Sequence, residues 1–294
     1  MEPVAPEWVY STNALVPDGG SLPHGINRFA AIVAYDGHQY CGFQRQKHSP
    51  TVQQELECAL SYVANKPTIL AAAGRTDSGV HSTHQVIHFD TPACRSSANW
   101  LHGVNSRLPQ AISLAWAGSV GAGFHARFSA VSRTYRYVIA RAENRPAILA
   151  NAVTWIKYPL DTQAMASACQ YLFGERDFSA FRGANCQSNS PFRQVTEARV
   201  YESGDLIVFE ISANAFVLHM VRNIVGALLE IGFRRRSPNW IDELLLDKDR
   251  RKSAATAPAR GLYLVAVDYP DGHGLPNLRR GPFFVNELQA TPID

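Results

Sequence analysis

Six periodic segments follow one another in the first half of the chain, and their order limits the fold more than any single residue does. Residues 29–36 form an apolar run that closes on the turn signal Asp36-Gly37, which predicts a buried strand. Thr51, with Gln54 three residues later, has the form of a capping box. Val52, Leu56, Ala59, Leu60 and Val63 then recur at helical spacing until Pro67. Two short strand-like runs, 69–73 and 86–89, come next, followed by a helical pattern over 97–108 that Pro109 breaks, and a strand over 112–116. The order strand, helix, strand, strand, helix, strand predicts a ferredoxin-like α/β sandwich.

The second half repeats the theme loosely. Strand patterns are predicted over 135–140, 195–201, 206–211 and 262–267, the middle two as a hairpin around residues 202–205. Helices are predicted over 162–173, 215–231 and 240–246. The expected fold class is α+β: two ferredoxin-like (RRM-like) halves, 28–130 and 131–270, with sheets side by side and a positively charged cleft between them. Residues 1–27 are expected to be a flexible extension and 271–294 a tail.

Composition agrees with a globular chain. Of 294 residues, 46% are hydrophobic and 18% charged, enough to build a core. No apolar stretch nears the ~18 residues of a membrane span, so no membrane association is expected. The N-terminus lacks the basic start and apolar core of a signal peptide. Five widely spaced cysteines without C-x-x-C argue against a disulfide scaffold or zinc knuckle and fit a reducing cytoplasm.

Chemistry concentrates in the connection between the two short strands, Gly74-Arg75-Thr76-Asp77-Ser78-Gly79-Val80-His81. Asp-Ser-Gly is an ordinary turn signal. A turn alone does not account for an arginine two residues before the acid and an imidazole four residues after it. The net charge is only +3, but between Gly74 and Arg141 stand seven arginines and two acids, Asp77 and Asp90. Planar guanidinium groups suit phosphate and base recognition. On the predicted helix 215–231, His219, Arg222, Asn223 and Gly226 form a polar and small stripe beside the apolar one. An arginine on so apolar a helix needs an acid partner. Asp77 and, locally, Glu230 are the two available. Gly226 is expected to admit a close backbone.

These residues resemble the tRNA pseudouridine synthase A family. Residues 74–81 match its active-site loop, with Ser78 where alanine is usual. Residues 35–37 with 42–46, 51–56, 124–130, 133–137, 177–181, 214–216 and 220–226 resemble further family blocks in the same order, with Phe43 where tryptophan is common. The resemblance spans about residues 28 to 270. It implies that Asp77 is the nucleophile, that Arg75 enters the RNA to help flip the target, and that Tyr135 packs on the flipped uracil and is available for the proton step at C5. It implies that Arg222 pairs with the aspartate. It places Arg95, residues 122–126 (Phe124, His125 and Ala126 among them), Arg127, Gly183, Ala184, Asn185, Cys186 and Gln187 against tRNA. The implied substrate is uridine at about positions 38 to 40 of the anticodon stem-loop, which must leave its stack to react. The family acts as a homodimer without cofactor or metal.

Other functions fit less well. His81, His84 and His88 lack the spacing and the glutamate of a zincin site. Ser78 is out of frame for a nucleophile elbow, and no G-x-x-x-x-G-K phosphate loop occurs. A non-catalytic RNA-binding protein with two ferredoxin-like modules would share the arginines and aromatics. It has no use for an acid at the centre of an anionic ligand's site.

Overall fold

The computed structural model describes residues 22–278 and 281–285. The expected extension therefore falls outside the described residues up to position 21, and the tail falls outside at 279–280 and 286–294. The chain divides into two compact units, Met1–Val131 with Val267–Arg280, and Ser132–Ala266 with Gly281–Asp294. Both mix helices with mostly antiparallel strands, so the α+β class holds. No helix among the described residues is long and apolar enough to cross a membrane.

The first unit runs β1 (Asn27–Tyr35), α1 (Val52–Ala64), β2 (Leu70–Ala72), β3 (His81–Thr91), α2 (Ser97–Asn105) and β4 (Ile112–Ser119). Its strands lie in the order β4-β1-β3-β2, every neighbour antiparallel. Leu56 and Leu60 of α1 and Trp100 and Val104 of α2 pack on Phe29, Ala31, Val33, Ile87 and Phe89 of the sheet. The Trp100 ring sits 5.4 Å from Phe29 and 4.9 Å from Phe89. Such aromatic pairs add to the stabilisation from buried area itself.

The second unit runs β5 (Ser132–Arg141), β6 (Thr154–Ile156), α3 (Thr162–Cys169), β7 (Gly174–Asp177), β8 (Phe192–Ser203), β9 (Leu206–Ala213), α4 (Met220–Gly232), α5 (Trp240–Asp247) and β10 (Leu262–Asp268). The strand order is β10-β5-β9-β8-β7, with β6 parallel to the end of β5. Arg136 of β5 and Glu210 of β9 form an ion pair with no exposed side-chain surface. Arg199 reaches the other oxygen of the same carboxylate, so this buried charge is hydrogen-bonded on both sides, as burial demands.

Several local expectations change. The capping box does not form: Thr51 caps α1 by position but makes no side-chain cap bond, and its hydroxyl is buried without a partner. Gln53 supports this end of the helix, accepting from Arg45 N and donating to Glu57. His81 and His84 lie on β3 rather than in the loop, because β3 pairs with β1 as far back as Ser82 opposite Tyr35. The helix predicted from Ala215 begins at Met220. Gly183 N–H binds Leu218 O at 2.8 Å, and His219, at φ 62°, turns the chain into the helix as its N-cap. His219 is thus not part of the helical stripe. The three-residue β6 and four-residue β7 carry no readable alternation and were not expected.

Candidate active site

The expected site residues are divided between the units. Asp77, Arg75, Arg95 and residues 122–127 belong to the first; Tyr135, residues 183–187 and Arg222 belong to the second.

In the first unit the sequence 74–80 is a tight loop bracketed at both ends. Gln85 of β3 accepts from Gly74 N at 3.3 Å and donates to Gly74 O at 2.8 Å. Gly79 takes a positive φ of 77°, and its N–H bonds Tyr40 O. The Ser78 hydroxyl reaches the same carbonyl at 3.2 Å. Thr76 is buried between them, its hydroxyl 2.8 Å from Tyr35 OH and its carbonyl accepting from Phe43 N. Burial raises the Tyr35 phenol to about 12, against the bonds from Thr76, Gln85 and Ser82, so it stays protonated at neutral pH. Residues 40–46 bed this loop through Tyr40, Gly42 and Phe43, which are buried, while Cys41, Gln44 and Gln46 are exposed. Gly42 is required there. At φ 91° a Cβ would stand 2.9 Å from Thr76 O and 3.3 Å from the Asp77 carbonyl carbon. The alternation buries Thr76, leaves Asp77 half-exposed, and turns Arg75 and Ser78 outward. A carboxylate held this way can act on a ligand in front of it without loop rearrangement.

Residues 122–127 separate into support and surface. Phe124 and Ala126 are fully buried. Ala122 O and Phe124 O accept from the Arg28 guanidinium, and Ala126 N donates to His88 Nδ1. Their side chains are thus enclosed within this unit. His125 is also buried, its Nδ1 accepting from Arg127 N and Phe128 N and its ring against His88 and Phe128. Arg127 is exposed, its guanidinium 5.6 Å from the exposed Phe128 ring. Arg95 is exposed at the start of α2, lining a shallow hollow with Asn27, Phe29 and Ser96.

Part of the arginine surplus is engaged within the protein. Arg136 is buried against Glu210, whereas Arg107 stacks 4.0 Å over the exposed Tyr62 ring and Arg133 binds Asn214 O at the surface.

In the second unit Tyr135 of β5 is half-exposed, with Phe216 edge-on at 5.0 Å. Tyr137, two residues on, is fully buried, its hydroxyl meeting Thr154 and Pro258 O, and burial pushes that phenol to about 12. Arg222 is half-buried and donates through Nε to Ala257 O at 2.8 Å. The local alternative, Glu230, pairs with Arg235 instead. Gly226 does admit a close backbone: a Cβ there would stand 2.1 Å from Ala255 O.

Residues 183–187 fold around Arg182, whose guanidinium donates to Cys186 O and Ser188 O. Ala184, Asn185 and Gln187 are exposed, and Asn185 takes a positive φ of 63°. Burial pushes the Cys186 thiol up, but the N–H groups of Leu218 and Ser188 and the Arg182 guanidinium outweigh it and hold the thiol below its ordinary value.

Sequence reasoning missed Gln85, Tyr40 and Arg182 as supports of these loops. Gln85 stands within four residues of the motif's end, but nothing in its spacing tells that it turns back to Gly74.

A family model described as tRNA pseudouridine synthase matches residues 31–129 and 168–270. The chain is 52% identical over 260 residues to a tRNA pseudouridine synthase A of Citrobacter koseri, covering 88% of this chain and 96% of that one. It is 50% identical over 260 residues to that of Idiomarina loihiensis (88% and 100%), and 50% identical over 258 residues to that of Coxiella burnetii (88% and 99%). Both matched stretches carry loops described above, and the chain belongs to the tRNA pseudouridine synthase A family, an isomerase family.

Proposed function

We propose that the protein converts uridine to pseudouridine at about positions 38 to 40 of the tRNA anticodon stem-loop, with the target nucleotide swung out of its stack. Uridine and pseudouridine are isomers. The N1–C1′ bond breaks, the freed uracil turns, C5 bonds to C1′, the proton leaves C5, and N1 ends protonated. Asp77 is the reacting carboxylate, attacking C1′ of the sugar or C6 of the ring, or acting by removing a proton from the sugar. Arg222 pairs with it and keeps it ionised. Tyr135, backed by Phe216, is the platform for the free base and takes part in the proton step at C5. Arg75 enters the RNA as the base leaves. Arg95, residues 122–126, Arg127 and residues 183–187 lie against the tRNA, and their phosphate contacts offset the few kcal/mol that flipping costs.

The observation that carries the proposal is the half-exposed acid at the centre of a loop bonded on both flanks by Gln85 and by Tyr40 O. A purely RNA-binding surface gains nothing from a rigidly presented carboxylate facing phosphate. The proposal extends to architecture and setting. Residues 28–130 and 131–270 are two ferredoxin-like domains, supported in the first by the order β4-β1-β3-β2. The enzyme works as a homodimer in the cytoplasm, where its five free cysteines stay reduced.

Asp77→Asn tests it. The variant is expected to bind tRNA as the wild type does and to release no tritium from tRNA labelled at uridine C5, a loss of at least about 10³-fold for a missing nucleophile. Turnover at the wild-type rate would remove Asp77 from the chemistry.

A further inference from the structure

Asn223 lies next to Arg222 on α4, is wholly buried, and uses its amide in both senses. Its Nδ2 donates to Phe181 O at 2.8 Å. Its Oδ1 accepts from Thr256 Oγ1 at 2.6 Å and from Arg250 Nη2 at 3.0 Å. A carbonyl can only accept and a guanidinium can only donate, so the amide has one allowed orientation. The segment that supplies Thr256 is the one stitched to Arg222: Arg222 Nε donates to Ala257 O, and Ala257 N donates back to Arg222 O at 3.1 Å. One turn further along α4, Gly226 lets Ala255 O lie against the helix. On the other side, Phe181 leads directly into Arg182 and Gly183, and Gly183 N is tied to Leu218 O just before α4.

We infer that Asn223 is a positioning residue, joining the segment that seats Arg222 to the root of the 183–187 loop so that both are set together for reaction. The inference rests on the proposed roles of Arg222 and of that loop. The choice of amide over carboxylate supports it. Arg250 is partly buried, and its hydrogen bonds go to the neutral oxygens of Asn223 and Thr256. For Arg250 alone, aspartate at 223 would be the better partner. Aspartate could not donate to Phe181 O, and it would put a second negative charge one residue from Arg222, in competition with Asp77. Asparagine satisfies three partners and leaves the Arg222 charge uncontested.

The experiment compares Asn223→Asp, Thr256→Val, Arg222→Ala and the double variant Arg222→Ala/Asn223→Asp under single turnover on tRNA, with a melting temperature for each. Asn223→Asp keeps both acceptor bonds and gains a charge pair with Arg250. It leaves Phe181 O without its donor and is expected to melt somewhat below the wild type, to lose about 10-fold or more in rate at saturating tRNA, and to need several-fold more tRNA to saturate. Thr256→Val, milder and half-exposed, is expected to lose about 3-fold in rate. In the Arg222→Ala background Asn223→Asp is expected to cost less than about 2-fold, since residues acting as one unit are not additive. A purely structural role would move melting temperature without that non-additivity. Wild-type rates for Asn223→Asp or, should that variant not fold, for Thr256→Val would overturn the inference, as would losses that multiply in full. Failure of the underlying reading is separable: an active Asp77→Asn sinks both, whereas an inert Asp77→Asn beside an unimpaired Asn223→Asp sinks only this one.

Discussion

The loop around Asp77 and the loop from Arg182 to Arg193 are both exposed and both built on sheet ends, yet they are held by opposite means. Around Asp77 the bonds are neutral: an amide on Gly74, a threonine on a phenol, backbone N–H groups on Tyr40 O and Thr76 O. In the other loop guanidinium groups supply most of the side-chain bonds. Arg182 serves Cys186 O and Ser188 O, and Arg193 serves Ser190 O, Phe192 O and the Ser188 hydroxyl. Neutral bonds fix the backbone without adding charge beside the acid. Arginines bonded to carbonyls fix the backbone and leave their positive charge uncancelled. The first arrangement suits a reacting carboxylate; the second suits a polyanion.

If that contrast is right, disturbing the first loop costs rate and disturbing the second costs affinity. Among substitutions of the residues that support the loops, the largest effect is expected from Gly42→Ala. The new Cβ meets Thr76 O in a backbone region that disfavours side chains, so the bed of the Asp77 loop must move. A stability loss of about 2 kcal/mol is expected from strain at such a residue. A fall in kcat on the order of 10²-fold is expected from a misplaced reacting group. Thermal melting and steady-state kinetics read the two separately, and an unchanged kcat would show that the loop tolerates the shift.

Arg182→Ala comes next. Two charge-assisted bonds to its own loop disappear, and so does one positive charge. KM for tRNA is expected to rise about 10-fold with kcat nearly constant, and the salt dependence of binding to become shallower. A kcat effect without a KM effect would erase the contrast between the loops.

The smallest effect belongs to Tyr35→Phe, which leaves the Thr76 hydroxyl without its phenol. About 1 kcal/mol of stability is expected to be lost, as for one buried hydrogen bond, with kcat lowered only about 2- to 3-fold because Gln85 and Tyr40 still hold the loop. A larger kcat loss than that from Gly42→Ala would mean that the phenol, and not the bed beneath, sets the loop.

What could be read without coordinates follows the range of the signal. Elements with long apolar periodicity, such as α1 and the strands β1 and β4, stand close to where their patterns put them. Short or interrupted ones do not. β6 and β7 owe their pairing to β5 and β8, and α4 starts late because Leu218 O is taken by Gly183, distant in sequence. Site residues behave likewise. Asp77 could be singled out as a candidate because its whole motif lies in eight consecutive positions. Phe124 and Ala126, in an equally suggestive run, are buried because Arg28 and His88, on other strands, bind their backbone.

Residue order alone determined the α+β class, the apolar faces of the helices and the loop in which an acid is flanked by glycines, since these depend on neighbours within one or two turns. Packing decided which arginines remain on the surface, which aromatic rings serve as supports, and what anchors each loop. Those outcomes come from hydrogen bonds and burial between residues tens of positions apart, and no local spacing encodes them.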